Sequence, residues 1–561
     1  MRVGIVDCYV DEPSIFGVPP YISPYPRYAW GAVADTGNQP MYATVDSWRK
    51  KEHIWKKICN AEIVFFTGGA LVPGKYVRTM PASMKELIEM AMEVSGKKIL
   101  SGPVARFSYT GGIRENREKL EDIFDYVAHL DGEAALFDLL TGRGWNERRR
   151  TIEEWNRWSL LGAECVRFAE NFPDSVIAEI ETYKGCVRWI SGGCSFCTDV
   201  LFGEVVFREI DGIVSEIEAI YNQGLRNFRI GGQTCIYSYM AKGVGETETP
   251  TPNPNAIKRL FDGIWHRCPK IEVLHLDNAN PAVIAEHEKE AREVTKILVE
   301  KCTPGNVVAF GMESADPEVI KRNNLNATPE QVMRAIEIVN EYGRARGDNG
   351  LPALLPGINF LGGLDGETKN TYILNYRFLQ DVLAKNLWLR RINIRQVAGV
   401  RRNFRLKHRR EFQHFKHLVR KNIDFQMLKM IVPENTVIRK IWTEMHEGKN
   451  TFGRQLASYP LLVGFPYFIE QGKFVDGIVV GHGERSITCI EYPLDVNRCS
   501  LAALQSVPGI SKRIACEIIA KRPFTSEEFK KFLQSSAGNE IAKKTLVYFG
   551  LGWEIYSFSV K

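Results

Sequence analysis

Apolar residues in the first 140 positions fall into short runs separated by stretches with helical spacing. MRVGIVDCYV, AEIVFFTGG, KKILSGPV and FDYVAHLDG read as short strands buried on both faces, and MKELIEMAMEVSG between them repeats its apolar positions as an amphipathic helix does. Strands alternating with helices predict a Rossmann-like parallel α/β sandwich over residues 1–142. The polar NERRRTIEEWNRWSLLGAE predicts a helical linker over 143–180. From 181 to 400 the alternation resumes, with CVRWIS, RNFRIGGQ, KIEVLHLD, NVVAFGMES, LPGINFLGG and RINIRQVAG as strands. REIDGIVSEIEAIYNQG, TPEQVMRAIEIVNEYG and TYILNYRFLQDVLAKN read as helices between them. This predicts a partial (β/α)6 barrel, whose chemistry belongs at the carboxyl ends of its strands, where GGQ, GMES and GGLDGE fall.

Beyond the barrel the pattern changes three times. Residues 401–458 read as a basic helical segment, 459–498 as a small β module with turns and alternation, and 499–561 as helices flanking VPGIS. The fold class is therefore α/β, with an N-terminal sandwich, a central partial barrel and a C-terminal β module and helical hairpin. A length of 561 residues agrees, since it exceeds what one core organises. With 44% hydrophobic and 25% charged residues the composition is that of ordinary globular domains, which excludes disordered, collagen-like and coiled-coil chains. The longest uncharged apolar stretch, LPALLPGINFLGGL, has two prolines and three glycines and falls short of the roughly eighteen residues of a membrane span. MRVGIVDCYVDEP lacks a basic region followed by a signal core, so a cytoplasmic location without a membrane partner is expected.

Charge sharpens the picture. The formal net charge is +6, yet residues 390–421 hold twelve Lys or Arg against one acid, Glu411, a local balance of +11 that leaves −5 for the rest. A polyanion is the natural partner of such a segment, with a solvated helix surface as the alternative. Of twelve cysteines, Cys186, Cys194 and Cys197 form one cluster in YKGCVRWISGGCSFCTDV. Three thiolates beside glycines at a strand end can hold three irons of a [4Fe–4S] cluster and leave the fourth open. A structural zinc site is the alternative, and would need a fourth ligand from Cys165, Cys235 or His275.

GGCSFCT at the opening of a β/α barrel resembles the radical S-adenosylmethionine (SAM) superfamily. The resemblance implies Cys186, Cys194 and Cys197 as cluster ligands, although seven residues rather than three separate the first two. It implies that Gly231, Gly232 and Gln233 form the turn holding the amino group of SAM. Glu313, in GMESADPEVIKRNNLNATPEQVMRAI, would face its ribose or amino acid part, and Gly362, Gly363, Gly366 and Glu367 would form the fifth-strand turn. The implied chemistry is reductive cleavage of SAM to methionine and a 5′-deoxyadenosyl radical that abstracts a hydrogen, fed by a low-potential electron donor.

Residues 1–142 resemble the cobalamin-binding domain that precedes the barrel in one branch of that superfamily, most closely at Asp131, Gly132 and Glu133, though an Asp-x-His-x-x-Gly motif is absent. That leaves cobalamin open as a third cofactor. Methylthiotransferases offer a second comparison, but FFTGG and LSGPV carry no cysteine for their auxiliary cluster, so Cys8 and Cys59 read as core residues. LAALQSVPGISKRIACEIIAKRPF resembles a helix-hairpin-helix, implying that Gly509, Lys512 and Arg513 meet a phosphate; a protein-docking hairpin is its alternative. Arg401, Arg402, Arg409 and Arg410 are expected to contact nucleic acid backbone, with Phe404, His408, Phe412, His414 and Phe415 stacking on unpaired bases. The expected function is radical SAM modification of a carbon in a nucleic acid, structured RNA above all, with methyl transfer through cobalamin as first choice. Methylthiotransferase-like sulfur insertion, a radical reaction without cobalamin, and a non-catalytic zinc-bearing nucleic-acid adaptor remain alternatives.

Overall fold

In a computed structural model of the protein, the described residues are 1–10, 21–69, 80–107, 109–110, 113–114 and 120–551. The N-terminal sheet is parallel, in the order Gln39–Thr44, Arg2–Asp7, Ile63–Thr67, Lys97–Ser101, Tyr126–Val127. Counted along the chain this is 2-1-3-4-5, a doubly wound plan whose switch point lies beside the first strand. The Gln39–Thr44 strand is one that the apolar pattern does not predict. As an edge strand it is buried only in its second half, so no continuous apolar run marks it. The helix before it is Pro24–Asp35. Residues 70–74 of the AEIVFFTGGALVPG segment lie outside the described residues.

The central domain is an open arch of six parallel strands: Ile177–Glu181, Asn227–Gly231, a run of Val273–Leu276 and Asn278–Ala279 broken at Asp277, Asn306–Glu313, Leu354–Gly362 and Arg391–Gln396. Tyr21–Ile22 pairs with its first strand, so the N-terminal segment extends this sheet. The first strand corrects the sequence reading. CVRWIS is apolar, yet Val187–Ser191 forms a 3₁₀ turn, and the strand is the more polar IAEIE. Glu179 and Glu181 disguise it: both are buried against cations, Glu179 facing Arg229, and Glu181 facing Arg150 and Lys184.

The two domains are locked together by close packing and buried charge. The Arg27 guanidinium donates to Glu216 at 2.6 Å and Arg208 donates to the same carboxylate, all three being fully buried. Gly31 faces the carbonyl of Trp158, where a Cβ would sit 2.0 Å from its oxygen, so only glycine lets these helices approach.

The C-terminal third differs from its predicted boundaries. Helix Arg409–Leu418 continues through Val419–Asp424 to Ile431, and the β module starts at Val437 rather than 459. It is a closed barrel of Val437–Glu447, Asn450–Gln455, Leu462–Phe465, Phe474–His482 and Ser486–Glu491, in the order 1-2-3-5-4, with the third and fifth strands parallel. The loop after its second strand plugs the arch from the amino-terminal side of the strands. Tyr459 packs with Val307 and Ala309, its hydroxyl bonds Asp277, and the Arg391 guanidinium lies 4.0 Å over its ring. Four helices, Leu501–Gln505, Lys512–Lys521, Ser526–Ala537 and Asn539–Leu546, complete the described chain. Among the described residues no helix is long and apolar enough to cross a membrane.

Candidate functional site

The three cysteines leave the carboxyl end of the first arch strand on a loop built to expose sulfur. Gly192 and Gly193 both take positive φ, 79° and 55°, and a Cβ on Gly193 would strike Val200 at 2.4 Å. The Cys197 amide donates to the Cys194 carbonyl at 3.1 Å, closing the turn between the last two thiols. Burial pushes Cys186 up to about 11 and Cys194 up to about 12, and raises Cys197 well above the ordinary thiol value; Cys186 adds to the shift of Cys194, and both add to that of Cys197. Such thiols stay protonated at neutral pH until a cation drives the protons off. Among the described residues no three His, Cys, Asp or Glu converge on the position of a single ion. The proposed fourth zinc ligands are also occupied. His275 holds Ser458 and Pro304 through its two ring nitrogens, Cys235 accepts the Asn280 amide, and Cys165 is buried in the main core.

Distant residues hold this loop. Arg188, 4% exposed, donates to the Cys194 sulfur at 3.1 Å and is fixed by Glu248 at 3.0 Å and by the Asn324 carbonyl at 2.9 Å. Asn323 accepts from the Ser195 amide and donates to the Asp365 carbonyl, tying the loop to the fifth-strand turn. One Arg401 nitrogen lies 3.0, 2.8 and 3.1 Å from the carbonyl oxygens of Gly192, Cys194 and Cys197. Arg401 is thus a clamp on the cysteine loop, a role that the charge pattern did not indicate. The spacing of these residues in sequence gave no signal for Arg188, Asn323 or Asn324.

Glu313 ends the fourth strand at a bulge, with φ of 63°, a strained value for a residue with a Cβ. It is 8% exposed, its Oε2 is buried without a hydrogen-bond partner, and burial pushes its carboxyl up to about 8 despite Arg395 nearby. Its charge is felt at Cys194. Glu313 is thus a buried carboxyl with a spare oxygen close to the cysteine loop.

No protein-family model matches the chain. An uncharacterized protein of Archaeoglobus fulgidus is 42% identical over 99% of this chain and 100% of its own length. Another, of Methanocaldococcus jannaschii, is 45% identical over 87% of this chain and 92% of its own. The chain belongs to this archaeal protein family. Solved structures resembling it include the radical SAM methyltransferase TsrM from Kitasatospora setae with cobalamin and a [4Fe–4S] cluster bound, with a TM-score of 0.45 and 15% identity over 70% of this chain and 74% of that one. The cobalamin-dependent SAM radical enzyme OxsB gives 0.43 and 14% over 67% of this chain and 51% of its own.

In this family member the other expected site residues divide into turn-formers and surface. Gly232 has φ of 72° and faces Glu181, while Gln233 is buried, accepting from the Thr182 hydroxyl and donating to the Ile230 carbonyl, so its carboxamide is spent inside the turn. A Cβ on Gly231 would meet Glu179 at 2.3 Å. Gly363 donates its amide to both oxygens of Glu367 at 2.8 Å, and Tyr372 donates to the same carboxylate at 2.7 Å, so Glu367 clamps its own turn. Gly362 lies under Phe412, whose ring would be 2.5 Å from a Cβ there. Phe412 and Phe415 are therefore core residues, at 4% and 2% exposure, and not stacking platforms; Phe404 is half-buried against the small cluster of Val319, Leu325, Leu364 and Val397. Arg402, Arg409, Arg410, Lys512 and Arg513 are exposed. Gly509 takes φ of 91° against Thr545, whose hydroxyl donates to Pro508 at 3.1 Å, so one side of that hairpin is covered by the last helix.

Proposed function

We propose that the protein is a radical SAM iron–sulfur enzyme that modifies a carbon of a nucleic acid. The observation that carries this is the placement of three neighbouring cysteines after the first strand of a six-stranded parallel arch, beside Glu313 with its buried, unpartnered Oε2. Cys186, Cys194 and Cys197 would hold a [4Fe–4S] cluster, and Glu313, with the backbone of the Gly231–Gln233 turn, would hold SAM. When bound, that pair supplies an electron and a carbon-centred radical. The chain itself fixes the cysteine loop through Arg188 and Arg401, and keeps water from the amino-terminal side with the Tyr459 plug.

Three features support nucleic acid as substrate. The closed five-stranded barrel follows the Greek-key plan of oligonucleotide-binding barrels. Arg402, Arg409 and Arg410 are exposed, and the Ser511 end of the Lys512–Lys521 helix carries exposed cations. For methyl transfer, the 2-1-3-4-5 sheet offers a corrinoid its carboxyl edge, where Gly68 and Gly102 pack backbone against backbone. The Asp131 and Glu133 carboxylates of the expected cobalamin segment are held by Arg150, which also reaches Glu181 of the arch.

Anaerobic reconstitution tests the core of this reading. Brown protein with about four irons per chain that cleaves SAM is expected; colourless protein with one zinc would overturn it. Corrinoid retained after expression with cobalamin supports the methyl-transfer form, and its absence leaves a cobalamin-independent reaction.

A further inference from the structure

The spacer between the first two cysteines is longer than in the motif it resembles, and its extra length builds a surface. Val187–Ser191 coils into a 3₁₀ turn in which the Trp189 amide donates to the Cys186 carbonyl at 2.9 Å. Val187 and Arg188 are buried, whereas Ile190 is 38% exposed and Ser191 and Gly192 are exposed beside it. The next turn, Asp199–Phe202, packs against the first and holds Leu201 out at 56% exposure. The chain then forms the short strand Val206–Phe207, paired with Tyr183–Lys184, and Val206 is exposed as well. The stretch that holds the three cysteines thus presents three aliphatic side chains to solvent. They are held firmly: the Leu201 amide donates to the Thr198 carbonyl at 3.0 Å, Asn324 donates to the Gly193 carbonyl at 3.0 Å, and Arg401 donates to the Gly192 carbonyl.

Positive charge flanks this surface. Phe202, next to Leu201, has three cations over its ring: Arg106 at 4.5 Å, Arg149 at 5.4 Å and Lys184 at 5.8 Å. Arg106 pairs with Asp131 and Lys184 with Glu181, but the exposed Arg149 has no ion-pair partner among the described residues. Lys321, one turn before the Asn324 that holds Gly193, is exposed and equally unpaired among the described residues. Of the two acids on the stretch, Asp199 is turned to the Cys197 thiol at 3.4 Å, and Glu204 is exposed. Aliphatic side chains kept in water on a fixed frame gain by being covered and lose little entropy when they are. A few of them with cations at the margin match the small, charge-steered contacts of transient redox partners, which must dock and leave. Unpaired bases are held instead by stacking on rings, which Ile190, Leu201 and Val206 do not offer.

We propose that this face docks a small acidic protein carrying a low-potential one-electron centre, with Ile190 and Leu201 covered in the contact and Arg149 and Lys321 meeting its acidic rim. The proposal rests on the iron–sulfur reading above and adds where the electron enters: through the outer side of the cysteine loop, away from the arch in which substrate would sit. The reduced carrier gives up one electron and the cluster gains it; no bond forms or breaks, and the carrier leaves oxidised by one electron.

The test uses the reconstituted full chain, with an acidic [2Fe–2S] ferredoxin and an acidic flavodoxin as probes. Probe affinity is measured by thermophoresis across salt concentrations for the wild type and for Leu201→Gln, Arg149→Glu and Lys321→Glu. Cluster reduction is followed by absorbance bleaching after mixing with a reduced probe, or with dithionite, which needs no docking face. Each variant is expected to bind the probe about tenfold more weakly and to be reduced by it more slowly, the two charge reversals are expected to flatten the salt dependence, and dithionite is expected to bleach all of them at the wild-type rate. A wild type that binds neither probe, or variants that bind as the wild type does, would overturn the docking face while dithionite bleaching upholds the cluster. A chain that dithionite does not bleach would overturn both. Variants that lose affinity for an oligouridylate but not for the probes would assign the face to nucleic acid and overturn the proposal as well. The three substitutions lie at exposed positions on separate segments, so one that fails to fold leaves the other two decisive.

Discussion

The Arg188 guanidinium donates a hydrogen bond to the Cys194 sulfur at 3.1 Å from a site that is 4% exposed. Hydrogen bonds and positive charge at a ligand sulfur stabilise the reduced, more negative state of an iron–sulfur cluster. Arg188→Met should therefore retain iron but lower the cluster midpoint potential by roughly 60 mV or more, a tenfold effect for one electron. A redox titration followed by electron paramagnetic resonance reads this directly; an unchanged potential would remove Arg188 from this role.

Glu313 joins function to a stability cost. Its folded pKa of about 8 lies above the ordinary 4.5, so the unfolded chain releases a proton that the folded chain retains, and stability drains away as pH rises from 4.5 to 8. In the apoprotein, Glu313→Gln should melt higher than the wild type by a margin that grows up to pH 8, on the order of a few kcal/mol at most. In the reconstituted protein it should bind SAM about tenfold or more weakly, since a carboxyl that can ionise against the ligand's positive charge is replaced by an amide that cannot. Calorimetry reads both, and wild-type SAM affinity would sink the assignment.

His275 predicts the opposite pH response. Burial lowers it from 6.5 to about 4, and it holds the plug loop by accepting the Ser458 amide at 3.0 Å. Below pH 6.5 the unfolded chain gains a proton that the folded chain refuses until about pH 4, so stability falls as pH drops through that window. The loss should approach 3 kcal/mol and disappear in His275→Asn, measured by urea unfolding at a series of pH values.

Gly31→Ala sets two effects against each other. Alanine gains about 1 kcal/mol of helix propensity over glycine, but its Cβ would lie 2.0 Å from the Trp158 carbonyl oxygen, a backbone atom with no rotamer to yield. Overpacking should win, for a net loss of about 1–3 kcal/mol in urea unfolding. A stabilised variant would show that the two helices separate easily.

Much of the architecture was legible along the chain. Strands such as NVVAFGMES and LPGINFLGG announce themselves because burial on both faces requires continuous apolar runs, and the cysteine spacing with its glycines marked the loop. Ile177–Glu181 was not legible, because its two glutamates look like surface until Arg229 and Arg150 are seen against them. The edge strand Gln39–Thr44 and the start of the small barrel at Val437 were missed for the related reason that half-covered strands lack a distinctive pattern.

What the sequence determined by itself is local: which segments extend or coil, where three thiols cluster, and that positive charge concentrates between 390 and 421. Only the tertiary structure decided what each charge does. Arg401 turns inward to carbonyls 204 to 209 residues earlier in the chain, and Phe412 covers Gly362. Periodicity follows from geometry within a few residues, whereas the direction of a guanidinium depends on which distant oxygen or cation the completed fold brings within a few ångströms of it.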